Sequence, residues 1–178
     1  MSTRLFHHYK AILVLDIDGT LANNDHRAHH VDREEGDDRP KDWVSFLSPS
    51  LVALDTVIEG AVPAVRHFER LGFHVVFLTG RDEKLREVTT AWIERHIGIK
   101  ASTDELFMRP DGCLDKAPAF KNAQLDIFKG SAPDALFVVV DDEEHLWCNH
   151  ALMLRAPGCW SSLFQPAKDD SHLSAWRK

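Results

Sequence analysis

Long apolar runs are missing from this sequence. No stretch approaches the roughly 20 apolar residues that a membrane-spanning helix needs, and residues 1–10 hold no apolar core of the kind found in signal peptides. Cysteine is scarce as well: the chain has three, and none lies in a C-x-x-C pattern, so neither a disulfide framework nor a zinc knuckle is indicated. We therefore expect a cytoplasmic protein that does not associate with membranes.

An excess of basic residues is also missing, because the formal net charge is −7 at pH 7. Proteins that grip long stretches of nucleic-acid backbone need a basic face, and this composition argues against that class. A small anionic substrate held by a few focused cations stays compatible with it. The sequence contains no G-x-x-x-x-G-K-[ST] phosphate loop and no G-x-S-x-G nucleophile elbow.

The 178 residues, 44% of them hydrophobic, fit a single domain with a full core, spanning residues 1–178. Apolar runs alternate with amphipathic stretches, which predicts a Rossmann-like three-layer α/β/α fold around a central parallel sheet with right-handed crossovers. The first expected strand begins at residue 12, and four more are expected over 73–78, 105–108, 135–140 and 151–154. The expected helices cover 60–71, 85–97, 117–128 and 143–150.

Residues 21–59 interrupt this alternation after the first strand, and we expect them to form a flap and a small helical cap. The part 21–38 is polar and charged, which indicates a loop or a mobile flap. The part 40–58 has apolar spacings that fit one or two short helices, and its aromatic residues are expected to pack against the domain body. Residues 157–178 form a C-terminal tail of mixed aromatic and polar character.

The flap contains His26, His29 and His30. Their H-x-x-H-H spacing could place two imidazoles on one helical face as metal ligands. A solvated loop that happens to be rich in histidine is the simpler interpretation of so short a tract.

The first strand ends in the motif D-x-D-G-T, which carries Asp16 and Asp18. Residues at i and i+2 of a strand point the same way. Two like charges buried side by side need a cation between them, and a divalent metal with a phosphate would supply the balance. A polar turn at the end of a strand is the alternative interpretation, since aspartate and glycine are common in turns.

Two more of the predicted strands end in reactive groups: Thr79, Gly80 and Arg81 follow the second, and Asp141 and Asp142 follow the fourth. The carboxyl ends of parallel strands meet at one edge of a sheet, where open α/β folds bind their ligands. Lys116 or Lys121, near or on the helix before the fourth strand, could lean over the same edge. The pattern therefore predicts one site in which cations surround an acidic cluster.

The succession D-x-D-G-T, T-G-R, a lysine and D-D resembles the haloacid dehalogenase (HAD) superfamily of phosphotransferases, over residues 11–154. Within that superfamily, D-x-D-G-T-L-A, Arg27, the helix-rich run after L-T-G-R and the R-P-D-G turn are most similar to the phosphatase domain of bacteriophage polynucleotide kinase. Glu143 is a departure, because it follows the aspartate pair where the phage enzyme has a basic residue.

The resemblance implies catalytic roles for three residues. Asp16 would be the nucleophile that forms an aspartyl-phosphate, and Asp18 the general acid and base. Lys121 lies about 20 positions before Asp141, close to the family spacing, and would stabilise charge in the transition state.

The resemblance also implies Mg²⁺ as the cofactor. The ion would be held by Asp16, the backbone carbonyl of Asp18 and Asp141, with Asp142 as an additional group. Lys121, Thr79 and the amides around Gly80 would bind the phosphoryl oxygens. Arg81 and Arg27 would reach the substrate phosphate, although a simple exposed loop residue is the alternative for Arg27.

These expectations predict a Mg²⁺-dependent phosphomonoesterase acting on nucleotides or on 3′-phosphate ends of oligonucleotides. A phosphatase of small metabolites, such as 5′-mononucleotides or sugar phosphates, is the alternative within enzymes. A phosphate-binding regulatory module is the alternative without catalysis. The expected partner is thus a small phosphorylated substrate, a nucleotide or a nucleic-acid end, and no protein partner is indicated.

Overall fold

The computed structural model describes residues 6–34, 36–113, 115–143 and 151–156. Its elements are, in chain order, β1 (Ala11–Leu15), β2 (Ala22–Asn23), α1 (Asp25–Ala28), α2 (Trp43–Phe46), α3 (Pro49–Val52), β3 (Thr56–Val57), α4 (Ala61–Arg70), β4 (His74–Asp82), a 3₁₀ turn (Glu83–Leu85), α5 (Arg86–His96), β5 (Leu106–Arg109), α6 (Ala117–Ser131), β6 (Leu136–Asp141) and β7 (Ala151–Arg155). The helix expected over 143–150 and the tail 157–178 lie outside the described residues, apart from Glu143.

The main sheet has five strands in the order β5-β4-β1-β6-β7. All four pairings between neighbouring strands are parallel, and β1 is the central strand. The chain first builds outward from β1 to β4 and β5 and then returns to the other side of β1 with β6 and β7. The predicted α/β fold with a central parallel sheet is confirmed, and its ligand crevice is expected where the strand order reverses, at the carboxyl end of β1.

Strand β1 is buried on both faces, as its unbroken apolar sequence predicts. Leu13 and Leu15 belong to the apolar cluster that includes Trp92 on α5. Ile12 and Val14 point to the second cluster, which includes Phe128 on α6. The two-residue period of a strand thus supplies both layers of the core and fixes β1 rigidly between them.

Strand β4 is longer than its apolar run predicts and continues to Asp82. It keeps pairing with β5, but its register shifts between Thr79 and Asp82. The T-G-R motif therefore lies within an irregular part of the strand rather than after its end. A bulge of this kind turns side chains away from the regular pleat and is frequent beside active sites.

The insertion is more ordered than the expected flap. Strand β2 pairs antiparallel with β3, which closes the insertion at its base, and the predicted short helices are α2 and α3. The guanidinium of Arg33 donates hydrogen bonds to backbone carbonyls at positions 29, 30, 32, 39 and 40. One side chain thus binds carbonyl groups from both ends of this polar stretch, in addition to backbone bonds such as that from the Asp42 amide to the His30 carbonyl.

In the part of the chain that the structure describes, no helix combines the length and the apolar character that crossing a bilayer requires.

Candidate active site

The chain turns sharply after β1, and the turn holds the two aspartates of D-x-D-G-T at the sheet edge. The carbonyl of Ile17 accepts the amides of Thr20, Leu21 and Ala22, at 3.2, 2.9 and 2.8 Å. Gly19 has φ of +75°, a left-handed conformation that favours glycine. These bonds fix the backbone of the turn, and with it the direction of the Asp16 and Asp18 carboxylates.

Gly19 also makes room for a carboxylate from the neighbouring strand. A Cβ atom at this position would lie 2.2 Å from Oδ2 of Asp142. A side chain at this position would therefore displace the Asp142 carboxylate from its place beside the turn. The glycine of D-x-D-G-T thus serves both the turn and the assembly of the acidic groups.

Asp16, Asp141 and Asp142 each offer a carboxylate oxygen, and these oxygens lie within 4.8 Å of one another. Lys121 lies between two of them, with Nζ 2.9 Å from Oδ1 of Asp16 and 2.8 Å from Oδ2 of Asp141. Asp16, Asp141 and Lys121 are buried, whereas Asp142 is exposed at the mouth of the site. We call these four residues the carboxylate cluster.

The carboxylate cluster has more negative than positive charge. Burial raises the pKa of Asp16 well above its ordinary value, and the neighbouring Asp141 and Asp18 add to the rise, which Lys121 only partly opposes. Although Asp142 as a residue is exposed, partial desolvation of its carboxylate and then the charge of Asp141 likewise raise its pKa to about 6. Three carboxylates with one ammonium are therefore an electrostatically incomplete group, and a divalent cation with a preference for oxygen ligands fits it.

A second group of charges surrounds Asp18. Arg81 binds both oxygens of Asp18, with Nε to Oδ2 at 2.9 Å and Nη2 to Oδ1 at 2.8 Å, and Arg27 donates to Oδ1 as well. Both guanidinium groups also bind Asp55, with Arg27 Nε and Nη2 at 2.7 Å and Arg81 Nη2 at 2.8 Å. We call Asp18, Asp55, Arg27 and Arg81 the arginine cluster.

The arginine cluster is internally balanced, with two guanidinium groups and two carboxylates. Burial alone would raise the pKa of Asp18, but the charges and hydrogen bonds of Arg81 and then Arg27 outweigh it and hold that pKa well below its ordinary value. Arg27 and Arg81 are completely buried. The exposed loop position considered for Arg27 is therefore wrong: its side chain lies inside the site.

The insertion supplies half of the arginine cluster. Arg27 lies on α1, and Asp55 directly precedes β3. The carbonyl of Phe46 accepts from Arg27 Nη1 at 2.9 Å, and its ring lies 4.2 Å from the guanidinium carbon. The Trp92 indole holds the Asp55 backbone through a 2.8 Å bond to its carbonyl. The insertion is thus a wall of the site.

Sequence reasoning missed Asp55. It lies in no motif and on no periodic face, and its partners are 26 and 28 positions away. A charge argument could have found it, because two arginines buried beside the single carboxylate of Asp18 require a second carboxylate.

The structure also locates the other predicted residues. Thr79 is buried, and its Oγ1 accepts the amide of Arg81 at 3.2 Å. A Cβ at Gly80 would lie 2.8 Å from Cβ of Ala117, so the bulge of β4 touches the first residue of α6. Lys116 is exposed, which leaves Lys121 as the lysine at this edge.

The flap histidines do not gather into a metal site. His26 contacts the Leu51 carbonyl at 3.2 Å, whereas His30 lies 4.0 Å from an oxygen of Asp42. Within the described ranges, the aspartates of the carboxylate cluster are the only group of three or more potential ligands close enough to share an ion. The solvated-loop interpretation therefore fits better.

Comparison with known proteins agrees with this geometry. A family model described as "Polynucleotide kinase PNKP phosphatase domain" matches residues 10–146, which include both clusters. No curated protein matches the sequence at a significant level.

Similar solved structures share the fold. A chain in the structure of the Pnkp1/Rnl/Hen1 RNA repair complex is 18% identical with a TM-score of 0.59, covering 83% of this chain and 42% of that one. The class C acid phosphatase from Bacillus anthracis is 15% identical with a TM-score of 0.60, covering 96% and 78%. Its tungstate-bound structure gives 16% identity and a TM-score of 0.57 over the same shares. This chain thus spans less than half the length of the RNA repair chain.

Proposed function

The chain belongs to the family of polynucleotide kinase PNKP phosphatase domains, which are phosphatases of the HAD type, and on that premise we propose a Mg²⁺-dependent phosphomonoesterase for nucleotides or 3′-phosphate ends of oligonucleotides. The observation that carries this proposal is the meeting of the two clusters at the end of β1. Asp16 belongs to the group that lacks positive charge, and Asp18 belongs to the group bound by two arginines. A phosphate ester between them would meet a nucleophile on one side and an acid on the other.

The carboxylate cluster has the chemistry of a magnesium site. Mg²⁺ prefers hard oxygen ligands and keeps part of its water shell, which suits a group with two buried carboxylates and an exposed one. Asp16, Asp141 and Asp142 would hold the ion, with the backbone carbonyl of Asp18 as a further ligand. When bound, the ion would neutralise charge on the phosphoryl group as a Lewis acid.

The proposed reaction has two steps. In the first, a carboxylate oxygen of Asp16 attacks phosphorus, the bond from phosphorus to the leaving oxygen breaks, and that oxygen takes a proton from Asp18. In the second, the oxygen of a water molecule attacks phosphorus and gives a proton to Asp18. The bond between phosphorus and Asp16 then breaks, which restores the carboxylate and releases inorganic phosphate.

Asp18 must carry a proton for the first step, although the arginines hold its pKa low without substrate. A substrate phosphate brings negative charge next to this carboxylate and competes with it for the N–H groups of Arg27 and Arg81. Both effects raise the pKa of Asp18, because a like charge disfavours ionisation. Substrate binding thereby favours the protonated form of Asp18, while Arg27 and Arg81 bind the phosphate.

Among the described residues, the contacts of Lys121 leave one of its donors for the substrate. An ammonium group has three N–H bonds, and the structure assigns two of them to Asp16 and Asp141. The third would donate to a phosphoryl oxygen, whose charge grows as the transition state forms. Thr79 and the amides of the β4 bulge would bind the remaining oxygens.

Two observations support nucleotides or nucleic-acid ends as substrates. The family is that of a polynucleotide kinase phosphatase domain, and one structural neighbour comes from an RNA repair complex. The net charge of −7 favours short ends over long tracts. The acid phosphatase neighbour supports the broader alternative of a general phosphomonoesterase.

Phosphate release from p-nitrophenyl phosphate tests the chemistry. We expect release by the purified protein with Mg²⁺ and none with EDTA or with the Asp16→Asn variant. A panel of 3′- and 5′-mononucleotides, 3′-phosphorylated oligonucleotides and sugar phosphates tests the substrate. Equal kcat/KM on sugar phosphates and nucleotides would refute the nucleotide proposal and leave the phosphatase intact, whereas wild-type activity of Asp16→Asn would refute the mechanism.

A further inference from the structure

One histidine of the flap contacts the arginine cluster, although the flap histidines form no metal site. Nε2 of His26 lies 3.2 Å from the carbonyl oxygen of Leu51 and 3.8 Å from Oδ1 of Asp55. That oxygen of Asp55 also accepts a hydrogen bond from Nε of Arg27 at 2.7 Å. His26 directly precedes Arg27 on α1, and its side chain is 36% exposed. An imidazole that solvent protons can reach therefore lies beside the buried carboxylate of Asp55.

The carbonyl of Leu51 decides which ring nitrogen of His26 carries hydrogen. A carbonyl oxygen only accepts, so Nε2 donates at this contact. The same carbonyl accepts the amide of Leu54 at 2.9 Å, in the turn that leads from α3 to Asp55. A second proton would therefore bind at Nδ1. It would add charge without a new donor toward Asp55, because 3.8 Å is too long for a hydrogen bond.

This second proton would change the charge balance at the arginine cluster. Two guanidinium groups face two carboxylates there, so the cluster has no net charge. A protonated imidazole beside Asp55 would leave one positive charge in excess. The proposed function requires a substrate phosphate to take the place of Asp18 on the two arginines. A phosphate binds more tightly to a group with excess positive charge than to a neutral one.

Other charged groups near His26 come from three places. Its own helix supplies Arg27 and the exposed Asp25. The chain directly after that helix supplies His29 and His30, whose ring centres lie 4.0 Å apart. The third place is the arginine cluster itself, since α2, α3 and β3 contain no acidic or basic side chain. Asp25 is present in both protonation states of His26, so it does not cancel the change that one proton makes.

We propose that His26 is a positioning residue of the phosphate site, whose second proton strengthens anion binding by the arginine cluster as the pH falls from about 8 to about 6. Histidine side chains ordinarily change charge in this range. His26 does not touch the substrate in this proposal and acts through Asp55 on the charge around Arg27. The inference rests on the proposed function and adds a pH-dependent affinity for the substrate phosphate to it.

The test measures binding of inorganic sulfate to the full chain by calorimetry, with Mg²⁺, at about pH 6 and about pH 8. Sulfate is a tetrahedral dianion that keeps both charges in this range, so its own ionisation does not enter. His26→Gln is the informative variant, because its amide can donate to the Leu51 carbonyl but cannot take up a second proton.

At the acid pH we expect the wild type to bind sulfate with a Kd roughly 3- to 10-fold lower than that of His26→Gln, the effect of one added charge at a high effective dielectric constant. At the alkaline pH the two proteins should bind sulfate equally. The KM for p-nitrophenyl phosphate should show the same acid-side difference with kcat unchanged, because uniform binding of substrate and transition state alters only KM.

Proton uptake separates this role from a purely structural one. Calorimetry in two buffers with different heats of ionisation gives the number of protons that bind together with sulfate. If the protonated imidazole favours the anion, the anion must equally favour the protonated imidazole. The wild type should therefore take up more protons than His26→Gln near neutral pH, whereas any proton gained by Asp18 is common to both proteins.

His29→Gln is the matched control, because His29 is an exposed histidine of the same flap whose ring contacts that of His30. It should bind sulfate as the wild type does at both pH values. The same acid-side loss with His29→Gln as with His26→Gln would overturn the proposal, since it would indicate a general effect of flap charge.

Three further results would also overturn it. One is a sulfate Kd that depends on pH equally in the wild type and in His26→Gln. Another is weaker binding by the wild type at the acid pH, which would mean that the protonated imidazole draws Asp55 away from Arg27. The third is a wild type that binds no sulfate at the acid pH. Failure of the proposed function would look different, because sulfate binding would keep its dependence on His26 while p-nitrophenyl phosphate was not hydrolysed.

Discussion

The carboxylate cluster and the arginine cluster meet at one strand end, yet they differ in charge. The first has three carboxylates and one ammonium group, whereas the second has two carboxylates and two guanidinium groups. Their two central residues are only two positions apart, but burial raises the pKa of Asp16 while the arginines lower that of Asp18. Identical side chains thus acquire opposite properties from their partners.

The two clusters also draw on different parts of the chain. Asp16 meets Asp141 from β6 and Lys121 from α6, all on the sheet and its covering helix. Asp18 meets Arg27 and Asp55, both from the insertion, in addition to Arg81 of β4. The sheet and α6 therefore supply the carboxylate cluster, which lacks positive charge and suits a cation. The insertion supplies Arg27 and Asp55, which balance the charges of the arginine cluster.

The largest effect should come from Asp16→Asn. We expect phosphate release to fall below detection, because the amide cannot attack phosphorus. We also expect the Tm of the metal-free protein to rise, since the substitution removes a buried charge that Lys121 does not fully compensate. Activity assays and thermal unfolding in EDTA measure the two effects.

Asp104→Asn, at an exposed position, is the control for Asp16→Asn and should change neither quantity. A lower Tm for metal-free Asp16→Asn would contradict the idea that the carboxylate cluster lacks positive charge.

A large loss of stability should follow from Asp55→Asn. The substitution leaves two buried guanidinium groups with one carboxylate, and removing one partner of a buried ion pair costs about 3–5 kcal/mol. Activity should fall as well, because Arg27 and Arg81 lose the anchor that orients them. Urea unfolding measures the change in the free energy of unfolding.

The pair of Asp37 and Arg39, whose arginine side chain is 79% exposed, provides the control for Asp55→Asn. Asp37→Asn breaks the same chemical pair at the surface and should have little effect on stability. Equal stability of the two variants would show that the arginine cluster is not needed for folding.

The sequence is informative about one of these clusters and poorly informative about the other. Asp16 and Asp141 follow apolar strands, so parallel pairing alone predicts that they meet, and Lys121 matches the spacing of a known family. Asp55 lies in an insertion without periodicity, and its contact with Arg27 spans 28 positions. Such a contact depends on how β2, β3 and α2 fold together, and no local pattern encodes it.

The two clusters should also differ in how their contribution to stability depends on pH. Folding lowers the pKa of Asp18, so its contribution is present above the ordinary value of 3.8 and is lost as the pH falls through the folded pKa. Folding raises the pKa of Asp16, so its contribution is present below 3.8 and is lost as the pH rises through the folded pKa. In EDTA, Asp18→Asn should reduce the loss of Tm on the acid side, whereas Asp16→Asn should reduce the loss on the neutral side. The same effect from both variants would contradict the opposite shifts.

The smallest effect should come from Asp142→Asn, which tests whether the carboxylate cluster needs its exposed member. Mg²⁺ should raise the Tm of the wild type, since a ligand that binds only the folded state stabilises it. The asparagine keeps the shape that contacts Gly19 but weakens the charge, and a tenfold weaker Kd would lower the Mg²⁺-induced stabilisation by about 1.4 kcal/mol. Glu143→Gln, one position later, is the control and should leave the shift unchanged. If Asp142→Asn also left the shift unchanged, Asp16 and Asp141 alone would hold the ion, and the excess charge of this cluster would lie entirely in its buried part.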